Sequence, residues 1–131
     1  MAIVADHMSN NVLTVAPDAT VADAARRMAE RSVGAVLVLD GTRLLGIFTE
    51  RDVLKIVAAG LEAGHAMPVS SLMTRYPETV EPTSTTEEAA ALMVHGGFRH
   101  LPVIAEGAVV GIVSLRDLMR FELANRAPRG A

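Results

Sequence analysis

The chain has 131 residues, of which 50% are hydrophobic and 3% aromatic, with no cysteine and a formal net charge of −3. This length fits one domain, or two small domains that share a core, and it needs no disulfide or metal to hold it together. The absence of cysteine excludes disulfides, thiol catalysis and cysteine-ligated zinc or iron–sulfur centres. The acidic balance argues against a general nucleic-acid binder, which carries a basic face.

The sequence contains no recognisable targeting or membrane segment. Its first residues lack a basic stretch followed by a long apolar run, so no secretory signal is predicted. Apolar runs such as Ala35–Leu39 are far too short to cross a bilayer. We therefore expect no membrane association and a cytoplasmic location.

The second half of the chain repeats the first at an offset of 65 residues. Without a gap, 15 of the 65 aligned positions are identical, where this composition would give about six by chance. We therefore expect two copies of one fold that pack about a pseudo-twofold axis. The expected boundaries are 1–65 and 66–124, with a flexible tail at 125–131.

The first copy reads as strand, helix, strand, strand, helix. Thr20 is typical of a helix N-cap, with Asp23 at the capping-box position. We expect the apolar residues of the last helix to face inward, namely Val53, Leu54, Ile56 and Val57. In chain order, the predicted elements are a strand at Val12–Val15, a helix from Thr20 to the region of Gly34, strands at Ala35–Leu39 and Leu44–Phe48 around an Asp40-Gly41 turn, and a helix over Glu50–Ala59.

The second copy repeats this order after a short connecting helix predicted at Pro68–Met73. Thr85 and Glu88 form a stronger capping-box signature than their counterparts in the first copy. The other predicted elements are a short strand at Thr79-Val80, a helix that ends at Gly96-Gly97, strands at Leu101–Ile104 and Val109–Val113, and a helix over Leu115–Leu123. The fold class is therefore α+β, with two β-α-β-β-α units, each a mixed sheet with helices on one side.

One pattern with chemical potential occurs in both copies, where the last strand runs into the last helix. Thr49 and Asp52 lie three residues apart in the first copy, as do Ser114 and Asp117 in the second. These pairs are typical of ordinary N-caps with an acid in the first turn. The same geometry also suits a nucleotide, since a helix N-terminus favours phosphate and a first-turn carboxylate can accept from ribose hydroxyls. Arg51 and Arg116 would add cationic donors nearby.

With these motifs the sequence resembles a tandem pair of cystathionine-β-synthase (CBS) domains over roughly residues 7–123. The matching motifs are His7-Met8 and Leu72-Met73, Thr14-Val-x-Pro17 and Thr79-Val-x-Pro82, Gly34-Ala-Val-Leu-Val and Arg99-His-Leu-Pro-Val, and the two Gly-Ile-x-Thr/Ser-x-x-Asp junctions. The resemblance implies a Bateman module that dimerises, binds AMP, ADP, ATP, NAD or S-adenosylmethionine, and regulates another protein. No other cofactor is implied.

The resemblance also assigns roles to residues. The aspartates of the two junctions match the ribose-binding position and the hydroxyl residues the phosphate side. Arg99 and His100 match a basic pair turned toward phosphates, although His100 could equally be a structural histidine. The implied ligand-binding set is Thr14, Val15, Thr49, Arg51, Asp52, Thr79, Val80, Arg99, His100, Pro102, Ser114, Arg116 and Asp117.

One departure from the family pattern separates the two copies. Gly34 and Ala35 stand in the first copy where the second has Arg99 and His100. We therefore expect unequal affinities at the two sites.

The sequence favours a binding device over an enzyme. The four histidines show no metal-ligand spacing, and neither a phosphate-binding loop nor a nucleophile elbow is present. The leading hypothesis is a non-catalytic sensor of an adenosyl ligand that signals to an unknown partner protein in trans. The alternative is a ligand-independent dimerisation or interaction module. An enzyme is the third and weakest hypothesis, since it would need a positioned base in a closed pocket.

Overall fold

The structure, a computed structural model, describes residues 2–60 and 63–124. The predicted tail at 125–131 lies outside the described residues. The chain is α+β and forms two compact units. The N-repeat unit is Val12–Pro77, and the C-repeat unit joins the described residues of Met1–Asn11 to those of Glu78–Ala131. Within the described part of the chain, no helix combines the length and apolar composition needed to cross a membrane.

The N-repeat unit is built on a four-stranded sheet in the order β1-β2-β3-β4. Strand β1 is parallel to β2, and the other pairs are antiparallel. Helices α1 and α2 precede β2 and follow β3, as predicted. The elements are β1 (Thr14–Val15), α1 (Val21–Arg31), β2 (Ala35–Asp40), β3 (Arg43–Thr49), α2 (Glu50–Ala58) and β4 (Thr74–Arg75), with short 3-10 turns at Gly64–Ala66 and Val69–Ser71.

The C-repeat unit reproduces this order with fewer paired residues. Its elements are a 3-10 turn at Val4–Asp6, α3 (Thr86–Gly96), β5 (His100–Ala105), β6 (Ala108–Ser114) and α4 (Leu115–Ala124). Val80 makes a single parallel bridge to Val103 of β5, and Ser9 makes an antiparallel bridge to Ile112 of β6. The predicted strand at Thr79-Val80 is therefore reduced to one bridge. This bridge is parallel and joins β5, just as β1 in the N-repeat unit is parallel to β2, the equivalent of β5.

Each unit has its own apolar core between sheet and helices, because the inward residues of the strands and the apolar stripe of each first helix face each other. In the N-repeat unit the core contains Val15, Val21, Ala24, Met28, Val36, Val38, Phe48, Ile56 and Val69. In the C-repeat unit it contains Val4, Val80, Ala89, Met93, Leu101, Val103, Val113 and Leu118.

The leading segments of the two repeats are exchanged between the units. Val4 is fully buried in the C-repeat core and donates its backbone N–H to the Ser84 carbonyl at 2.8 Å. Val69 is likewise fully buried in the N-repeat core and donates to Ala19 at 2.7 Å. The compact units therefore divide the chain after residues 11 and 77, whereas the sequence repeat divides it at residue 65. The sequence repeat does not reveal this exchange, because both copies have a valine at the same position and both cores have an equivalent place for it.

Other details also differ from the predictions. On α2, Leu54 and Val57 are 66% and 70% exposed, so the inward orientation predicted for them is wrong; Ile56 is the buried residue of that helix. Helix α1 ends at Ser32, which takes a left-handed φ of 55°, rather than at Gly34. The connecting helix predicted at Pro68–Met73 is a 3-10 turn followed by strand β4, which the sequence did not indicate.

Candidate functional site

In the N-repeat unit, Thr49 and Asp52 form a complete capping box at the start of α2. The Thr49 backbone N–H donates to Asp52 Oδ2 at 2.9 Å, and the Asp52 N–H donates to Thr49 Oγ1 at 3.4 Å. The threonine hydroxyl also donates to Oδ2 at 3.2 Å. The carboxylate is thereby held at the helix N-terminus through one of its two oxygens.

The C-repeat unit contains the same arrangement at α4. The Ser114 N–H donates to Asp117 Oδ2 at 2.9 Å, and the Asp117 N–H donates to Ser114 Oγ at 3.0 Å. All four side chains of the two boxes are partly exposed. The interpretation of these residues as N-caps is thus confirmed, and each aspartate has Oδ1 outside the capping bonds and at the positive end of the helix dipole.

The first helix of each unit is capped differently. Thr20 and Thr85 accept a hydrogen bond from the backbone of Asp23 and Glu88 at 3.1 and 3.0 Å, so the predicted N-caps are present. The carboxylates of these two acids, however, make no reciprocal bond to the cap within the residues that the structure describes. Complete boxes therefore occur at α2 and α4, at the two repeated Thr/Ser-x-x-Asp junctions.

Beside each complete box lies the start of the neighbouring strand. Ala35 is directly opposite Thr49 in the β2–β3 pairing, and the Glu50 N–H donates to the Gly34 carbonyl at 3.0 Å. Small residues without charge thus border the α2 junction.

At the α4 junction the same positions are basic. His100 is directly opposite Ser114, and the Leu115 N–H donates to the Arg99 carbonyl at 2.8 Å. Side chains that are directly opposite across an antiparallel pair project from the same face of the sheet. The structure therefore brings His100 and Ser114 together within one unit, and Arg99 is exposed beside them.

The segments expected to meet an adenine ring lie on the opposite side of the central strand from the boxes. Val15 pairs with Val38 in β1–β2, and Val80 exchanges hydrogen bonds with Pro102 and Ile104 at 3.0 and 2.9 Å. Both valine side chains are buried in the cores, and Pro102 is fully buried. Only backbone atoms of these three residues and the exposed side chains of Thr14 and Thr79 remain for a ligand.

The remaining predicted residues, Arg51 and Arg116, lie in the first turns of α2 and α4, where both are exposed. The predicted set therefore divides between the units, with Thr14, Val15, Thr49, Arg51 and Asp52 in the N-repeat unit and the others in the C-repeat unit.

The C-repeat unit also has a cleft of about 740 Å³ at the other end of its sheet. Of the predicted site residues, only Thr79 and Val80 line it. Its carboxylates belong to Glu81, Glu88 and Glu106. The sequence indicated Glu88 only as a capping residue and assigned none of the three to a binding site. No group of three or more acidic or histidine side chains in the described ranges could hold a metal ion.

The sequence profile of the CBS domain matches the chain twice, at residues 4–59 and 69–124. The CBS domain-containing protein YhcV of Bacillus subtilis is 34% identical over 132 residues, which cover 100% of this chain and 93% of that protein. CBSCBSPB2 of Arabidopsis thaliana is 44% identical over 124 residues. Those residues cover 93% of this chain, which spans only 23% of the plant protein.

Solved structures share the fold. The CBS-domain containing protein ATU1752 from Agrobacterium tumefaciens superposes with a TM-score of 0.88 at 36% identity, over 92% of this chain and 99% of that one. CBSX2, solved in complex with AMP, superposes with a TM-score of 0.82 at 27% identity, over 95% and 98% of the two chains. The CBS domain pair of MJ0100, solved with 5-methylthioadenosine and S-adenosyl-L-methionine, has a TM-score of 0.88 at 23% identity, over 96% and 99%, which shows the fold alone.

Proposed function

Because the chain belongs to the CBS domain family, we propose that it is a non-catalytic regulatory module that binds a ligand of the AMP, ADP or ATP class. The ligand's binding is signalled to a separate protein in the cytoplasm. The AMP complex of CBSX2 supports the ligand class, since that protein shares the fold over almost the whole chain. NAD and S-adenosylmethionine are the competing adenosyl ligands.

The observation that carries the proposal is the complete capping box at both repeated junctions. In each box the aspartate is fixed through Oδ2, which leaves Oδ1 to accept from the hydroxyls of a ribose. The carboxylate is held in place before a ligand arrives, so little side-chain entropy is lost on binding. The adjacent helix N-terminus favours the phosphate that follows the ribose.

The two junctions are proposed to differ in their preference for phosphate. Arg99 and His100 border Ser114, while Gly34 and Ala35 border Thr49. A guanidinium and an imidazole provide donors for a polyanion, which the small residues cannot replace. The α4 junction is therefore expected to discriminate phosphorylated ligands from adenosine more strongly than the α2 junction.

A second candidate function is an interaction module that works without ligand, most simply as a homodimer. Exposed apolar side chains on the last helix of each unit favour it, namely Leu54 and Val57 on α2 and Met119 and Leu123 on α4, of which the last two are 55% and 67% exposed. Exposed apolar faces of this kind commonly mark protein–protein contacts. Ligand binding and dimerisation are compatible, so each needs its own test.

A thermal-unfolding panel tests ligand binding. AMP, ADP, ATP, NAD and S-adenosylmethionine are compared with GTP and with ribose 5-phosphate, which controls for the phosphate and sugar alone. A ligand present at 100 times its Kd should stabilise the folded chain by about 2.7 kcal/mol. We expect the AMP, ADP or ATP class to give the largest shift. No shift with any adenosyl compound at millimolar concentration would contradict the proposal, whereas a shift with NAD or S-adenosylmethionine alone would replace the ligand class.

A further inference from the structure

The ring of Phe98 covers the end of α3. A Cβ atom added to Gly96 would overlap this ring, with the Cδ1 and Cζ atoms of Phe98 only 2.6 and 2.8 Å away. Phe98 also packs against the core of the C-repeat unit, and its N–H donates to the Met93 carbonyl at 3.2 Å. The ring therefore lies here because residue 96 has no side chain, and the turn after α3 is anchored by both packing and a hydrogen bond.

Arg99 follows this anchored residue and is held from the other side as well. Its carbonyl accepts from the N–H of Leu115, the first residue of α4, at 2.8 Å. Leu115 packs against the same core as Phe98. The backbone of Arg99 is therefore fixed between two apolar side chains that pack on one core, while its own side chain is exposed beside the Ser114 box.

The N-repeat unit has the same turn without the ring. In the places of Gly96, Phe98 and Arg99 it has Arg31, Val33 and Gly34. Val33 is 39% exposed, yet its N–H donates to the Met28 carbonyl at 3.0 Å, as the Phe98 N–H does to Met93. The turn thus forms with a small, half-exposed side chain. The ring and the glycine that admits it occur in the repeat that has the arginine, so they are tied to the arginine rather than to the turn.

We propose that Phe98 is a positioning residue for phosphate recognition at the α4 junction and acts through Arg99. This inference rests on the proposed binding of a phosphorylated adenosyl ligand. Phe98 contacts the core rather than the ligand. An anchored backbone fixes the direction in which the Arg99 side chain leaves the chain, so less conformational freedom is lost when the guanidinium binds phosphate. Gly96 contributes by leaving room for the ring.

Titrations of the intact chain with AMP and with adenosine test the proposal. Phe98→Val, which introduces the residue of the other repeat, should weaken AMP binding about threefold, within the range of an exposed ionic contact. Adenosine binding should not change. Phe98→Tyr keeps the ring and should keep the AMP affinity, whereas Gly96→Ala displaces the ring and should act like Phe98→Val. In the Arg99→Ala background, Phe98→Val should have no further effect on AMP.

Amide hydrogen exchange without ligand measures the anchor independently of nucleotide binding. Phe98→Val should speed exchange of the Leu115 amide, whose acceptor is the Arg99 carbonyl, by about tenfold relative to the other amides of α4. Val4→Ala is the control, since Val4 is fully buried in the same core. It should speed exchange across the whole unit and leave the ratio of AMP to adenosine affinity unchanged.

Three results would overturn the proposal. They are unchanged Leu115 exchange in Phe98→Val, equal losses of AMP and adenosine affinity in that variant, and the same loss of AMP affinity when Arg99 is already alanine. A parent chain that binds no adenosyl compound would instead contradict the proposed function. In that case the exchange experiment still decides whether Phe98 holds Arg99 in place.

Discussion

Met73 packs directly on Gly46, and a Cβ atom added to Gly46 would stand 2.6 Å from the Met73 sulfur. The other repeat has the same relationship, since a Cβ on Gly111 would stand 2.6 Å from the sulfur of Met8. Each methionine belongs to the leading segment of one repeat and each glycine to the β-hairpin of the other. These contacts explain why Gly46, Gly111, Met8 and Met73 all appear as identities in the internal alignment.

Gly46→Ala is therefore expected to destabilise the fold. The new methyl group would meet both the Met73 side chain and the Thr74 carbonyl oxygen, each at 2.6 Å, and a backbone atom cannot move away as a side-chain end can. Overpacking of this kind costs about 1–3 kcal/mol. Urea unfolding measures the cost. Gly111→Ala is the matched comparison and should cost less, because its backbone contact, Ser9 O, is 2.9 Å away. An unchanged midpoint for Gly46→Ala would show that the close contact is not maintained in solution.

Substitutions at Asp117 should separate its capping role from a role in binding. Asp117→Asn keeps an oxygen that can accept from the Ser114 N–H, whereas Asp117→Ala loses the reciprocal hydrogen bond of the capping box and with it about 1 kcal/mol of stability. Both variants lose a charged acceptor for ribose hydroxyls, worth about 1.5–3 kcal/mol, which corresponds to roughly a 10- to 150-fold loss of affinity. Unfolding curves and calorimetric titration with AMP measure the two effects. Full affinity in Asp117→Asn would mean that the aspartate is a cap alone; Asp52→Asn is the parallel variant for the other junction.

The basic pair beside Ser114 should act on phosphate rather than on the nucleoside. Arg99→Ala is expected to weaken AMP binding by about three- to tenfold, since exposed ionic contacts contribute about 0.2–1 kcal/mol and charge-assisted hydrogen bonds somewhat more. Adenosine affinity should not change. Titrations at low and high salt provide the measurement, because the difference between variant and parent should shrink as salt screens the charge. Equal losses for AMP and adenosine would assign Arg99 a structural role.

The exposed apolar residues of α2 should control self-association if the chain is a homodimer. Val57→Glu places a charge on a side chain that is 70% exposed, so it should leave the monomer fold intact and shift the molar mass from dimer toward monomer. Light scattering after gel filtration measures the molar mass. Val94→Glu is the control, since Val94 on α3 is equally exposed, at 73%, and lies outside the proposed contact. A monomeric parent chain, or an equal effect of both variants, would remove the support for a dimer through this helix.

Local signals in the sequence predicted most of the helices and strands and the caps of four helices. Thr20, Thr49, Thr85 and Ser114 all cap a helix as expected, because a hydroxyl and the backbone amide three residues later interact within one turn. The repeat likewise predicted that both units would have the same element order, apart from the short segments at Thr79-Val80 and β4. Capping bonds and hairpin pairing depend on near neighbours, so a single sequence carries enough information to predict them.

The candidate site was predictable only in part. The sequence identified the two Thr/Ser-x-x-Asp junctions and the basic pair Arg99-His100, but the register that places His100 opposite Ser114 needed the structure. The acidic cleft was not predicted, because its three glutamates come from a turn, a helix and a hairpin that are distant in sequence. Their proximity follows from packing, which leaves no periodic signal along the chain.

By itself, then, the sequence determined that this protein is a duplicated α+β unit with capped helices at matching positions, because those properties arise from contacts within a few residues. The tertiary structure alone decided that Val4 packs in the core of the C-repeat unit and Val69 in the core of the N-repeat unit. It also decided that Leu54 and Val57 face outward. Two nearly equivalent segments compete for two nearly equivalent sites, and a helix with apolar residues on several sides has more than one possible inward face. Only the packing of the whole chain selects among these alternatives.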